Sequence, residues 1–228
     1  MVAARHDLKL YVSPGSCARV PTIALEEIGV PFETELLRMN AKQHKSADYL
    51  AINPKGKVPC LVIDGQPLTE NVAILGWLDQ TYPEAELLPK AANDLERARQ
   101  TADLAFFSGT IHPFVTRYAR PGKFVADEQY AGQVRHASVP AARPFWTMID
   151  DRLSQSPWWY GDNWSIVDGY LFWTWWRIGA SGFQGDDYPN IQNHAARIQT
   201  RPSVRRAMDR EADHINLLQS EGLYQAPD

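Results

Sequence analysis

Three short stretches carry residue types and spacing suited to chemistry on a bound ligand: Ser13-Pro14-Gly15-Ser16-Cys17, Asn53-Pro54-Lys55-Gly56-Lys57-Val58-Pro59 and Glu70-Asn71. A residue before proline is pushed to extended geometry, and X-Pro bonds are the ones that turn cis at small cost. A cis Val58-Pro59 at the start of a strand offers the Val58 N–H and C=O to an extended peptide, as an added strand would. The alternative is an ordinary loop proline. Glu70 and Asn71 open a helix, whose free amides and positive end suit a carboxylate, while the Glu70 side chain suits an ammonium. Simple N-capping by Asn71 is the plainer reading. Cys17 stands where a helix N-terminus favours a thiolate, but it is also in phase with Val20 and Ala24 on a packing face. Ser13 and Ser16 both carry a hydroxyl that could donate to a sulfur anion, and Ser16 could equally cap the helix.

The elements that must position these groups are legible from periodicity. Leu8 to Val12 alternates as a strand, Cys17, Val20, Pro21, Ala24 and Ile28 share one helix face, and Gly29 sits at the C-cap position. Glu33 to Leu37 reads as a second strand and Pro59 to Ile63 as a third. Asp64-Gly65 reads as a tight turn, Gln66 to Thr69 as a fourth strand, and Asn71 to Gln80 as a closing helix. Together these form a βαβ unit followed by ββα, a small α/β layer. Tyr82 to Pro89, broken by two prolines, marks a linker. The spacing predicts domains at 1–82 and 93–228, joined by 83–92. The second is all-helical, with breaks at Pro113, Pro121-Gly122, Pro157, Gly182 and Pro189. Ser165-Ile-Val-Asp168 reads as a capping box opening a helix to about Ala180 that is apolar nearly all round, hence buried.

Composition narrows the function classes. With 228 residues, 23 Lys+Arg against 27 Asp+Glu and a net charge of −4, the chain carries no electrostatic footprint for nucleic acid. No apolar run approaches the roughly 18 residues of a membrane span, and Met1 to Asp7 carries no apolar signal core, so a cytoplasmic protein with no membrane partner is expected. Two cysteines, Cys17 and Cys60, fit neither a disulfide framework nor a metal knuckle, and Cys60 falls inside a strand, where it packs. The eight Trp, clustered at Trp158-Trp159 and at Trp173, Trp175 and Trp176, can build a core or line an aromatic pocket, and core is the default reading.

Taken in order, Ser13-Pro-Gly-Ser-Cys17, Asn53 to Pro59, Thr69-Glu-Asn71 and Ser165 to Asp168 resemble the cytosolic glutathione S-transferases over essentially the whole chain. The bacterial beta class, with PGxC after the first strand, is the nearest likeness. The resemblance implies a thioredoxin-like N-terminal domain, a helical C-terminal domain, a homodimer, and glutathione as co-substrate with no metal. It makes Pro59 a cis-proline, pairs Val58 with the cysteinyl backbone, and assigns the γ-glutamyl end to Glu70 and Asn71, where the family usually has Ser or Gly at the latter position. It places Lys42 and Lys57 with the glutathione-binding residues, Lys42 toward the glycyl carboxylate, and sets Cys17 beside the glutathione sulfur. His112 falls where beta-class members carry a histidine that could take or return the thiol proton, while Ala105 stands for a family asparagine. Phe106, Arg117, Tyr118 and Trp176 are assigned to a hydrophobic site for the second substrate. No tyrosine replaces the serines: Val12 stands near the mammalian-type position, and Tyr11 points to the other strand face.

Three activities remain open at this stage. The first is transfer of the activated thiolate to a hydrophobic electrophile. The second is a glutathione-dependent thiol–disulfide or deglutathionylation reaction with Cys17 as nucleophile, and the third a non-catalytic glutathione-binding carrier or regulatory module.

Overall fold

A computed structural model describes residues 5–226, so most of the expected leaderless start lies outside the described residues. The chain divides into two compact units, one running to Leu87 and joined by Arg201–Ala226, the other spanning Leu88–Thr200.

The first unit is built on β1 (Leu8–Val12), whose buried Leu8, Leu10 and Val12 alternate with partly covered Lys9 and Tyr11. The helix α1 (Arg19–Ile28) follows and ends at Gly29, whose φ of 74° closes the C-cap with an N–H donated to the Leu25 carbonyl. The parallel β2 (Glu33–Leu36) is next, then a short helix α2 (Ala47–Ile52), then β3 (Cys60–Ile63), β4 (Gln66–Thr69) and α3 (Asn71–Thr81). The four strands among the described residues are ordered β2-β1-β3-β4, with β1 parallel to β2 and antiparallel to β3. Asp64 at φ 48° and Gly65 at φ 80° form the hairpin turn expected from Asp-Gly. The βαβ-ββα reading therefore holds, with β3 opening one residue later than expected because Pro59 offers no N–H to a ladder. The sequence showed no sign of α2. Its six residues are too few for a period, and its one cue was Ser46, whose Oγ accepts the Tyr49 N–H at 3.3 Å.

In the second unit α4 (Asp94–Ala105) runs into a π-helical stretch, Phe106–Ile111, and on into α5 (His112–Ala119). Pro113 does not break the chain as expected. The wider π register takes up the lost N–H and the ring at the second position of α5. After 3₁₀ turns at Pro121–Phe124 and Glu128–Tyr130 come α6 (Ala131–Gln155), α7 (Ile166–Gly179) and α8 (Pro189–Ile198). The expected breaks at Pro121-Gly122, Pro157, Gly182 and Pro189 all fall between helices or at a helix start. The helix α7 is buried nearly all round, as its composition requires.

Its capping box is the hub of this unit. The Asp168 carboxylate is fully buried and accepts from Ser165 N–H at 2.7 Å, Ser165 Oγ at 3.0 Å, Trp159 N–H at 2.8 Å and His194 Nε2 at 2.9 Å. One side chain thus ties the start of α7 to the Trp158–Asn163 turn and to α8.

The last helix, α9 (Pro202–Ser220), lies inside the expected 93–228 stretch, yet it packs on α1 and groups with the first unit. It explains why α1 is buried on its polar side as well: Glu26 meets Arg206 and Arg210, Glu27 meets Arg201, and Arg19 meets Glu211. A helix of mean polar character gave no clue in sequence that it would cover another.

Candidate functional site

The clamp loop is fixed from beneath. Asn53 is buried; its Nδ2 and the Tyr49 hydroxyl both donate to the Lys57 carbonyl, at 2.7 and 2.6 Å, and its Oδ1 accepts the Lys55 N–H at 3.1 Å. Gly56 sits at φ 58°, with the His44 carbonyl 2.7 Å from where a Cβ would stand. We expect Gly56→Ala to destabilise the loop by about 1–3 kcal/mol, seen as a lowered melting temperature together with weakened ligand binding.

This scaffold presents a cis Val58-Pro59 peptide. Val58 lies outside the β1–β3 ladder, which begins with the Tyr11–Cys60 pair, and its carbonyl faces the Cys17 thiol, Sγ to O 3.8 Å. Across the β3–β4 hairpin, Glu70 is the N-cap residue of α3 and is held at φ 71°, ψ 124°. Such a conformation is costly for a residue with a Cβ and recurs at ligand clamps. The Glu70 carboxylate does not cap the helix, and it stands exposed with the Lys55 Nζ at 2.7 Å. That ammonium shows the geometry in which a cation meets Glu70. Lys55 itself was passed over in the sequence, where its only signal was its place between Asn53 and Gly56.

Asn71 makes a contact that neither sequence reading named. Its side chain neither caps α3 nor opens outward; it is buried, and Nδ2 donates to the Cys17 carbonyl at 3.1 Å, tying the start of α3 to the thiol loop. What α3 can still offer a carboxylate is the backbone amides of its uncapped first turn.

The surroundings of Cys17 work against a thiolate. Although the residue is only partly covered, loss of water around Sγ pushes its pKa up to about 12, with the negative Glu70 adding to the rise. Its own backbone N–H, Asn71 and Lys57 pull the other way and do not prevail. Cys17 also lies just before α1 rather than within its first turn. The helix end is therefore weaker than desolvation here. Of the two serines, Ser16 is spent locally. Its hydroxyl donates to the Ser13 carbonyl at 2.6 Å and accepts the Ala18 N–H at 3.3 Å, the turn role that the residue type also allows. Ser13 is partly covered and carries the remaining hydroxyl of the loop. Lys42, at φ 56°, and Lys57 are both exposed.

In the second unit, His112 follows the π stretch, a local feature frequent at functional sites. Its ring lies 4.5 Å from that of Trp173, and Nδ1 is 3.5 Å from the Tyr170 hydroxyl. The four residues assigned to an electrophile site do not form one cluster by their ring contacts. Phe106 meets Phe145, which meets Phe114, beneath the guanidinium of Arg117. Tyr118 instead meets Phe183 and Arg135. Trp176 is partly covered at the α7 end. Phe114 and Phe145, which the sequence did not single out, join Phe106 in that aromatic group. Among the described residues no group of His, Cys, Asp and Glu could hold a metal ion, and no helix is long and apolar enough to cross a membrane.

Comparison with known proteins bears on this geometry. Residues 15–81 match the glutathione S-transferase N-terminal domain, and residues 132–197 match the C-terminal domain. Glutathione S-transferase GstA of Escherichia coli O157:H7 is 30% identical over 90% of this chain and 98% of its own. The chain belongs to the glutathione S-transferase family. The solved structure of the bacterial beta class glutathione S-transferase of Sphingomonas chungbukensis is 33% identical with a TM-score of 0.77, covering 89% of this chain and 98% of that one. Maleylacetoacetate isomerase of Pseudomonas aeruginosa is 29% identical over 88% of this chain and 94% of its own. The chain is thus a glutathione transferase by family, with a thioredoxin-like first unit and a helical second one. In transferase terms the clamp loop, Glu70 and the Ser13–Cys17 loop all fall inside or at the edge of the matched N-terminal domain.

Proposed function

We propose that this chain binds glutathione in extended form and stabilises its thiolate for attack on a small hydrophobic electrophile. Glu70 takes the γ-glutamyl ammonium, and the open amides of α3 take the neighbouring carboxylate. Val58 pairs with the cysteinyl backbone, and Lys42 and Lys57 lie toward the glycyl end. The Ser13 hydroxyl donates to the sulfur, where a charge-assisted bond lowers the thiol pKa without a protein nucleophile. His112 serves as the proton acceptor, and Phe106, Arg117, Tyr118 and Trp176 line the electrophile side. A cytoplasmic homodimer belongs to the same reading.

The observation that carries it is Glu70: a strained backbone and an exposed carboxylate, already matched to an ammonium, at the mouth of an uncapped helix. The height of the Cys17 pKa argues against the reductase reading, which needs a thiolate on the protein.

A second reading follows from the relative named maleylacetoacetate isomerase. The glutathione thiolate would add to one carbon of an electron-poor cis double bond, the C–C bond would rotate, and the thiolate would leave with its electron pair, so that glutathione is recycled. The exposed Arg117 on α5 suits an acidic substrate of that kind.

The test is turnover of an aryl halide and of a maleyl acid by the purified protein, following product and free thiol together. Thiol loss matched to product supports transfer, and product without thiol loss supports isomerisation. With either substrate Ser13→Ala is expected to lower kcat about 100-fold, whereas Ser16→Ala and Cys17→Ala change it by less than about threefold. The reverse ranking would return the chemistry to Cys17.

A further inference from the structure

Glu211 of α9 reaches the loop that carries Ser13. Its Oε1 accepts the Gly15 N–H at 3.0 Å and Arg19 Nη2 at 2.7 Å, while Oε2 accepts Arg19 Nε at 3.0 Å. The Arg19 side chain is fully buried and Glu211 is 13% exposed. Ser13, Arg19, Thr34, Glu211 and His214 line one small cleft. A buried ion pair of this kind is no better for stability than apolar residues of similar volume, so stability alone does not account for it. What an apolar pair could not supply is the acceptor for Gly15.

We propose that Glu211 is a positioning residue for the thiolate donor. Gly15 stands at φ 72° between Ser13 and Ser16, where the backbone has few internal restraints. The far end of the loop is held by Asn71 at the Cys17 carbonyl, and its interior by Ser16 at the Ser13 carbonyl. Glu211 fixes the middle, and through the two-pronged contact with Arg19 it fixes the start of α1 as well. The Ser13 hydroxyl is thereby held by a residue nearly two hundred positions away. The inference rests on the reading of Ser13 given above.

The experiment uses the full chain with glutathione and an aryl halide. It compares the wild type with Glu211→Gln and with the double variant Arg19→Met/Glu211→Met. Melting temperature, KM for glutathione, kcat and the thiolate absorbance of bound glutathione are read in each. The double variant removes both members of the ion pair and with them the Glu211 acceptor of the Gly15 N–H. It is expected to melt near the wild type and keep KM within about threefold, while kcat and the bound thiolate fraction fall on the order of tenfold. Glu211→Gln keeps an acceptor for Gly15 but weakens the contact with Arg19, so its melting temperature falls while its thiolate fraction stays within about twofold of the wild type. Unchanged kcat and thiolate in the double variant, or thiolate lost in step with stability in Glu211→Gln, would overturn the proposal. If the double variant does not fold, the glutamine variant decides alone. A wild type that leaves bound glutathione un-ionised overturns the Ser13 reading itself and the inference with it, which sets that failure apart from failure of Glu211 alone.

Discussion

Asp168→Ala is expected to destabilise the protein by about 3–5 kcal/mol, the largest effect of any single substitution considered for stability. The carboxylate is fully buried and takes four donors, from Ser165 twice, Trp159 and His194. Removing it leaves those donors buried without an acceptor, each at a cost of about 1–3 kcal/mol before relaxation. Since a carboxylate can only accept, His194 Nε2 carries the proton in this contact. Asp168→Asn should cost less, because one amide oxygen still serves part of the network. Its NH₂ group, however, then opposes a donor. Urea unfolding followed by tryptophan fluorescence would measure both, with the melting temperature of the alanine variant lowered on the order of 10 °C. An alanine variant within 1 kcal/mol of the wild type, which is less than one unsatisfied donor is worth, would mean that the hub is dispensable.

The largest effect on ligand binding is expected at Glu70. Glu70→Ala should raise the KM for glutathione about 10- to 100-fold, the worth of one charged hydrogen bond, with kcat at saturation changed little, because the contact is made equally in ground and transition states. The carboxylate is exposed, and Lys55 is its partner in this structure. Glutathione lacking the γ-glutamyl amino group separates cause from accident. If Glu70 holds the ammonium, that analogue binds wild type and Glu70→Ala alike, and the two losses are not additive. Additive losses would place the ammonium elsewhere.

Much of this was legible in the sequence, and the parts that were not share a physical reason. Periodicity and turn chemistry set β1, α1, the Asp64-Gly65 hairpin and α7, since each depends on residues close in the chain. The Ser165–Asp168 capping box was readable for the same reason, but the contacts from Trp159 and His194 to the same carboxylate were not. The likeness to a known family located the clamp, and a Val-Pro dipeptide alone could not have done so. What was not legible concerns groups whose surroundings are decided by distant partners. Cys17 was read both as a helix-end thiolate and as a packing residue, and the exclusion of water around its Sγ by neighbouring segments, which raises its pKa, could not be read from the chain. Asn71 was judged by its place at the start of α3, yet its side chain is claimed by Cys17 from fifty-four residues away. The cover over Arg19 and Glu26 of α1 was not legible because the helix that supplies it lies at the other end of the chain.

The central claim is that the protein ionises the thiol of glutathione with a hydroxyl, and not with a thiolate of its own. It is tested most directly by the ultraviolet absorbance of bound glutathione thiolate, titrated against pH for the wild type, Cys17→Ala and Ser13→Ala. The account predicts a midpoint well below that of free glutathione for the wild type and for Cys17→Ala, moving back toward the free value in Ser13→Ala. A wild-type midpoint equal to that of free glutathione, or one lost in Cys17→Ala and kept in Ser13→Ala, would contradict it.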